Sequence, residues 1–115
     1  MRLFIRKDLR KMDELINEIE DTVISLIKYD MKTYPDMAQS LANKMMIMFP
    51  AIIDCYNNPV MQDKREDAVY WPSQLQRVIE AFDRGDSFEV MDVLYNETRA
   101  NLIELREIYS KRGLI

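Results

Sequence analysis

The chain contains no histidine and a single cysteine, Cys55, which limits the chemistry that its side chains can perform. Catalytic triads need an imidazole beside the nucleophile, so neither a Ser/His/Asp nor a Cys/His arrangement can form. The sequence neighbours of Cys55 are Asp54 and Tyr56, and neither is a cation that would activate the thiol. Cys55 is therefore predicted to be a small buried residue, and the protein is predicted to be non-enzymatic, with no catalytic residues.

Ligand-binding residue types are also sparse. The two glycines, Gly85 and Gly113, are isolated, whereas phosphate-binding loops need clustered glycines. One thiol without imidazole cannot form a standard zinc site. Oxygen ligands for Mg²⁺ or Ca²⁺ remain, in a run of acids around one predicted turn: Asp83, Asp86, Glu89, Asp92 and Glu97. The simpler interpretation is that these acids cap and solubilise the start of a helix, so we predict no metal and no cofactor.

Methionines and aromatic residues give the stronger functional signal. Three of the nine methionines fall within the apolar run 45–49, and five consecutive apolar residues cover every side of a helix. Either that helix is enclosed by the fold, or part of it meets a partner through adaptable thioether chains. Tyr70 and Trp71 either anchor an interface or close one end of the core. The candidate partner interface comprises Met45, Met46, Met48, Phe49, Tyr70 and Trp71.

Apolar residues that recur every three or four positions predict the helices that position these groups. The predicted helices are Lys7–Asp30, Pro35–Tyr56, Pro72–Gly85 and Ser87–Arg112. They suggest an all-α, antiparallel four-helix bundle that forms one domain over residues 1–115. We expect a kink in the second helix at Pro50 and a possible short extra helix at residues 60–70.

Apolar stripes on the first and last helices predict which faces of these helices are buried. The stripe of the first helix comprises Leu9, Met12, Ile16, Ile19, Val23 and Leu26, with Leu15 and Ile27 widening it. The stripe of the last helix repeats in steps of three and four through Phe88, Met91, Tyr95, Thr98, Leu102, Leu105 and Tyr109, with Leu94 and Ile108 thickening it. Between the third and fourth helices, Gly85 is expected to end one helix and Asp86 or Ser87 to cap the next.

Net charge and hydropathy restrict the partners and the location. The net charge is −4 and the pI is about 4.9, which disfavours nucleic-acid binding. The longest apolar run, residues 45–53, is far shorter than the roughly 20 residues that span a bilayer. A lone cysteine is typical of reducing compartments. We therefore predict a cytoplasmic protein with no membrane span.

The C-terminal third resembles a known type of domain. Residues 78–115 carry Ala81-x-x-x-Gly85-Asp86, then Asp92-Val93-Leu94-Tyr95-x-Glu97, then Asn101-Leu102. This pattern resembles uncharacterised helical domains of Firmicute bacteria, in which a Gly-Asp turn precedes an acidic, leucine-rich helix. The resemblance implies a bacterial helical domain and assigns no site residues.

Three functional hypotheses remain open. The first is an interaction or adaptor bundle that binds a protein partner or forms a homo-oligomer. The second is a small-molecule or divalent-metal-binding bundle, which predicts a pocket lined by acids or tyrosines. The third, by analogy of fold, is a bacterial secretion or flagellar-type chaperone.

Overall fold

The computed structural model describes residues 2–28 and 35–113, apart from the side chains of residues 2–4, 35, 37 and 38. Four helices account for most of these residues: α1 (Arg2–Lys28), α2 (Pro35–Asp54), α3 (Tyr70–Arg84) and α4, which runs through the consecutive segments Ser87–Met91, Asp92–Arg99 and Ala100–Gly113. Two 3₁₀ segments, Cys55–Asn57 and Pro59–Val69, connect α2 to α3. The described residues include no strand, and the predicted all-α bundle is confirmed.

Contacts between neighbouring helices show that they run antiparallel. In three contacts between α1 and α4, the residue number on α4 decreases as the residue number on α1 increases. The pairs are Asp8 with Tyr109, Asp13 with Arg106, and Glu20 with Arg99. The same reversal holds between α3 and α4, through Tyr70 with Asn101 and Arg77 with Glu97. Each of these helices therefore lies antiparallel to its neighbour, as in an up-and-down bundle.

The core is built from one apolar face of α1 and one of α2. Met12, Ile16, Ile19 and Leu26 of α1 are buried, whereas Ile27 is 70% exposed and does not widen the stripe as predicted. In α2 the buried residues are Leu41, Met45, Phe49 and Ile52, with Cys55 directly after the helix. These side chains pack against α3 and α4 in one contiguous cluster, which is the main source of stability for a bundle.

The helix boundaries differ from the predictions mainly at the starts. α1 begins at Arg2, five residues earlier than predicted, and α3 begins at Tyr70, two residues earlier. α2 continues through Pro50 to Asp54, and the bend expected at Pro50 stays a prediction. The predicted break between the first two helices, at residues 32–34, lies outside the described residues.

The region predicted as a possible extra helix forms the long 3₁₀ segment Pro59–Val69. Asn58 caps it, because its side-chain oxygen accepts from the Val60 N–H at 3.2 Å, and Pro59 occupies the first position. The backbone departs from helical geometry at Met61, with φ −110° and ψ 17°. The segment therefore consists of two short 3₁₀ helices that meet at Met61. It lies along the C-terminal half of α4, to which Arg112 holds it through the Val60 carbonyl at 3.3 Å.

The predicted stripe of the last helix is wrong at two positions in its first half, whereas Met91 and Leu94 pack in the core as predicted. Phe88 and Tyr95 are 81% and 43% exposed, whereas Thr98, Leu102, Leu105 and Tyr109 are buried as predicted. The reason is that Asp92–Arg99 is π-helical, so the helix absorbs one extra residue there. One extra residue rotates the preceding part of the helix by about 100° relative to an uninterrupted α-helix. Val90, Val93 and Leu94 consequently take the inward positions.

The turn between α3 and α4 follows the prediction. Gly85 has φ 69° and ends α3, with its N–H donating to the Phe82 carbonyl at 3.0 Å. Asp86 caps α4 by accepting from the N–H groups of Phe88 and Glu89 at 3.0 and 3.3 Å. A left-handed residue followed directly by an aspartate cap allows α4 to start soon after the end of α3.

Replacing Gly85 with alanine is expected to lower the free energy of unfolding by about 1 kcal/mol, because an L-residue is strained at positive φ. No described atom lies within 4 Å of the added Cβ, so the cost comes from the backbone alone. Urea unfolding measures it. Gly85→Asn is the matched control and should cost less, since asparagine tolerates this conformation. Equal stability of wild type and Gly85→Ala would contradict the assigned turn.

Candidate functional site

The six residues of the candidate interface do not form one surface. Met45, Phe49 and Trp71 are at most 1% exposed and belong to the core. Met48 is half-buried against the core, while Met46 and Tyr70 are exposed, on α2 and α3 respectively. Because α2 packs between α1 and α3, it buries most of its apolar run and leaves Met46 and Ile47 pointing outward. A partner can therefore reach only part of the predicted interface.

Trp71 closes one end of the core, which was the alternative interpretation of this residue. Its indole Nε1 donates a hydrogen bond to the Tyr56 hydroxyl at 2.8 Å. The rings of Phe49 and Tyr70 meet the indole edge to face, with centroids at 5.7 and 5.6 Å. Such edge-to-face aromatic contacts add to the stabilisation from burial alone. This aromatic cluster connects the end of α2, the 3₁₀ segments and the start of α3.

A cleft of about 290 Å³ lies beside this cluster, between the second 3₁₀ segment and α4. Side chains three positions apart eclipse one another in a 3₁₀ helix, so Lys64 and Asp67 stand in one row that leads to Tyr70. The facing row on α4 has helical spacing and comprises Asn101, Glu104, Leu105 and Ile108. Tyr56, Met61 and Trp71 complete the lining. A pocket lined by acids and tyrosines is what the small-molecule hypothesis predicts.

A chain of hydrogen bonds runs from the rim of this cleft into the π-helical segment. Asn101 Nδ2 donates to the Tyr70 hydroxyl at 2.6 Å, and that hydroxyl donates to Gln74 Oε1 at 2.6 Å. Gln74 Nε2 donates to Thr98 Oγ1 at 2.8 Å, and Thr98 donates to the Val93 carbonyl at 3.1 Å. Gln74 and Thr98 are almost completely buried. The chain satisfies their polar atoms and a carbonyl of the π segment, so it locks α3 to α4 in one register.

Four exposed apolar side chains lie on α1 and α4 towards the opposite end of the bundle. Arg99 Nε donates to Glu20 Oε1 at 3.0 Å and aligns α4 with α1. Ile24 on α1 and Tyr95 on α4 lie one turn from this pair, towards the end of α1 and the start of α4. Ile27 and Phe88 lie further along the same two helices. We call these four residues, Ile24, Ile27, Phe88 and Tyr95, the apolar face. Their exposed fractions are 52%, 70%, 81% and 43%.

Sequence reasoning missed the apolar face because it assigned three of its members, Ile27, Phe88 and Tyr95, to core stripes. The register change shows in the burial of α4. Val90, Leu94, Thr98 and Leu102 are buried and follow one another in three steps of four, with Val93 buried beside Leu94. Repeated steps of four drift away from the 3.6-residue period, which indicates that one residue has to be accommodated within the helix.

Cys55 is buried as predicted, and its surroundings suppress its reactivity. The thiol donates to the Ala51 carbonyl at 3.4 Å. Burial is the main factor that raises the pKa of Cys55, to about 12, and the nearby carboxylate of Asp8 acts in the same direction. The Tyr109 hydroxyl donates to that same carboxylate, and burial likewise raises the pKa of Tyr109. A thiol in this setting stays protonated at neutral pH and is a poor nucleophile.

The acids around the turn between α3 and α4 are mostly engaged in local contacts. Asp86 caps α4, Glu89 pairs with Arg84 at 2.9 Å, and Glu97 pairs with Arg77 at 2.7 Å. Asp92 accepts from the Asn96 side chain at 2.7 Å. Within residues 2–28 and 35–113, no three acidic or thiol side chains are grouped so as to hold a metal ion. These contacts agree with the interpretation that the acids cap and solubilise the helix start.

Membrane-spanning potential and similarity to known proteins both bear on the function. Among the described residues, no helix combines the length and the hydrophobicity needed to cross a bilayer.

No protein-family model, no curated protein and no solved structure matches this chain. The resemblance of residues 78–115 to helical domains of Firmicute bacteria stays a prediction.

Replacing Thr98 with valine is expected to lower the free energy of unfolding by about 2 kcal/mol, because the buried Gln74 amide loses its acceptor. In the double variant Gln74→Leu/Thr98→Val, both polar partners are gone. The double variant should therefore be less destabilised than the sum of the two single variants, by about 1 kcal/mol. Urea unfolding of the four proteins completes the cycle, and strict additivity would show that the hydrogen bond does not couple α3 to α4.

Stability is expected to fall as the pH rises above about 9. The pKa of Cys55 is about 12 in the folded protein against an ordinary value of 9.0, so the unfolded chain loses this proton first. The contribution of the protonated thiol to the free energy of unfolding is fully present below pH 9 and is lost as the pH approaches 12. Between about pH 8 and about pH 10 the loss should be about 1 kcal/mol.

Urea unfolding of wild type and Cys55→Ala at the two pH values isolates the contribution of the thiol. The variant should show a smaller loss of stability on going to high pH, while Tyr56, Tyr70 and Tyr109 still contribute above about pH 10, since the pKa of each is raised by burial. An identical pH dependence in both proteins would exclude a protonated, buried thiol.

Proposed function

We propose that this bundle is a non-enzymatic interaction module that binds a protein partner, either another protein or a second copy of itself, through the apolar face. The single observation that carries the proposal is the exposure of four large apolar side chains on two adjacent helices, α1 and α4. Scattered exposed apolar residues are normal on protein surfaces, but a group of them on one face is typical of interaction sites.

Local structure explains why these side chains stay exposed. The π-helical segment turns Phe88 and Tyr95 away from the core, because Val90, Val93 and Leu94 occupy the inward positions instead. Repacking Phe88 into the core would require loss of the extra residue or disruption of the hydrogen bond between Gln74 and Thr98. The exposure of Phe88 and Tyr95 therefore follows from the register of α4.

Polar contacts border the apolar face, as they do in protein interfaces with an apolar centre and a polar rim. The guanidinium of Arg99 lies 4.4 Å from the centroid of the Tyr95 ring and also pairs with Glu20. These contacts hold the Tyr95 ring in place. An aromatic side chain that is already ordered loses less conformational entropy when a partner binds.

Of the candidate interface residues from the sequence, Met46 supports a smaller second surface. Met46 and Ile47 are 57% and 75% exposed on α2, but their neighbours Asn43, Lys44 and Pro50 are also exposed and none is a large apolar residue. Two adjacent apolar side chains provide less buried area than four on two helices. Ile47 therefore serves as a control position.

A photo-activatable cross-linking residue at position 88 is expected to form covalent adducts with the partner in the cells that produce the protein. Replacing both Ile24 and Ile27 with serine should lower the adduct yield about ten-fold, since a few central apolar residues dominate interface energy. Sedimentation of the purified protein distinguishes a second copy from another partner.

The cross-linking residue at position 47 is the matched control, because Ile47 is about as exposed as Phe88 and lies on a different helix. The serine replacements should leave the free energy of unfolding within about 0.5 kcal/mol of wild type, as expected for exposed positions. Equal adduct yields at positions 47 and 88, or no adduct at position 88 in a protein that sediments as a monomer, would refute the proposal.

A further inference from the structure

The two walls of the cleft, the second 3₁₀ segment with the start of α3 and the facing part of α4, are joined by side-chain contacts at two levels. At one level the Asn101 amide donates to the Tyr70 hydroxyl at 2.6 Å. At the other level Arg112 reaches the Val60 carbonyl at 3.3 Å and pairs with Asp63. These cross-links fix the distance between the two walls. The cleft is thus a preformed concavity, as small-molecule sites usually are.

Two carboxylates line the cleft, one from each wall. Asp67 stands on the 3₁₀ wall three residues before Tyr70, and Glu104 stands on α4 three residues after Asn101. Because Tyr70 and Asn101 face each other, Asp67 and Glu104 occupy corresponding levels on the two walls. Neither is joined to a cation within the described residues. Two like charges across a narrow cleft repel each other and attract a cation.

The floor of the cleft is aromatic and apolar. Tyr56 and Trp71 are buried and line it, together with Met61, Leu105 and Ile108. The Tyr56 hydroxyl accepts the indole hydrogen bond at 2.8 Å and retains a second lone pair. Burial is the main factor that raises the pKa of Tyr56, and the carboxylates of Asp67 and Glu104 act in the same direction.

From this arrangement we propose that the cleft binds a small organic cation, a protonated primary amine attached to an apolar body. The ammonium group lies between Asp67 and Glu104 and donates to them, while the apolar body packs along Leu105 and Ile108 of α4. Ammonium groups bind through charge-assisted hydrogen bonds, and the two carboxylates supply the acceptors. A metal ion fits less well, since the described residues offer no third acidic ligand here.

A substitution at Lys64 distinguishes a cationic ligand from an anionic one. It lines the cleft three residues before Asp67 on the same wall. For a cationic ligand its charge opposes binding, so Lys64→Met should tighten binding. For a carboxylate ligand the same substitution should weaken binding, because Lys64 would be the group that pairs with it.

The direct test is titration of the purified protein with 2-phenylethylammonium, using the fluorescence of Trp71. Trp71 is the single tryptophan of the chain and lies in the cleft, so its emission reports on occupancy. The matched probes are 2-phenylethanol, which is neutral, and 3-phenylpropionate, which is anionic. We expect a saturable change with the amine alone, and binding that weakens with added salt. No saturable change with the amine, or an equal response to 3-phenylpropionate, would overturn the proposal.

Neutral isosteres test the two carboxylates. Asp67→Asn and Glu104→Gln should each weaken amine binding about five-fold, the upper range for one exposed ion pair. Asp83→Asn removes the same charge at the far end of α3 and should leave binding unchanged. Both cleft positions are exposed, so unfolding curves should match wild type. Unaltered amine affinity in both cleft variants would refute the assignment, and neither result bears on the apolar face.

Discussion

The register of α4 is the constraint on which most of this structure depends. The π-helical segment absorbs one residue, and the buried contact of Thr98 with Gln74 fixes where that occurs. On the C-terminal side, α4 presents Asn101, Glu104 and Leu105 to the cleft. On the N-terminal side, the same rotation turns Phe88 and Tyr95 to solvent. A uniform α-helix of the same sequence could not meet both requirements, because its apolar residues would follow a single stripe.

The two candidate surfaces lie at opposite ends of the bundle and differ in chemistry. The apolar face offers contact area, a held aromatic ring and few polar groups at its centre, which suits a protein surface. The cleft is a concave space whose two walls are joined by hydrogen bonds. Its two acids stand above an aromatic floor, which suits a small cation. Helix α4 contributes to both, through residues that lie on either side of the contact between Thr98 and Gln74.

The sequence predicted the fold well where periodicity was regular. Met12, Ile16 and Ile19 follow steps of four and three, and all are buried. The turn at Gly85 and Asp86 was predictable because each residue type has a local conformational reason for its position. Periodicity gave the wrong prediction for Phe88 and Tyr95. The π-helical segment changes which residues of α4 face the core, and no change in residue composition marks it. The walls of the cleft were not predictable either, because they depend on a 3₁₀ geometry whose polar sequence resembles an ordinary loop.

The extra residue within α4 also affects how this chain compares with its evolutionary relatives. A homologue whose last helix is a regular α-helix would differ from this protein by a single-residue gap inside that helix. Without that gap, an alignment would pair core positions with surface positions over half of the helix, and the similarity of the two chains would fall although their cores are equivalent. Insertion of one residue into a packed helix is thus a small genetic change that can conceal common ancestry.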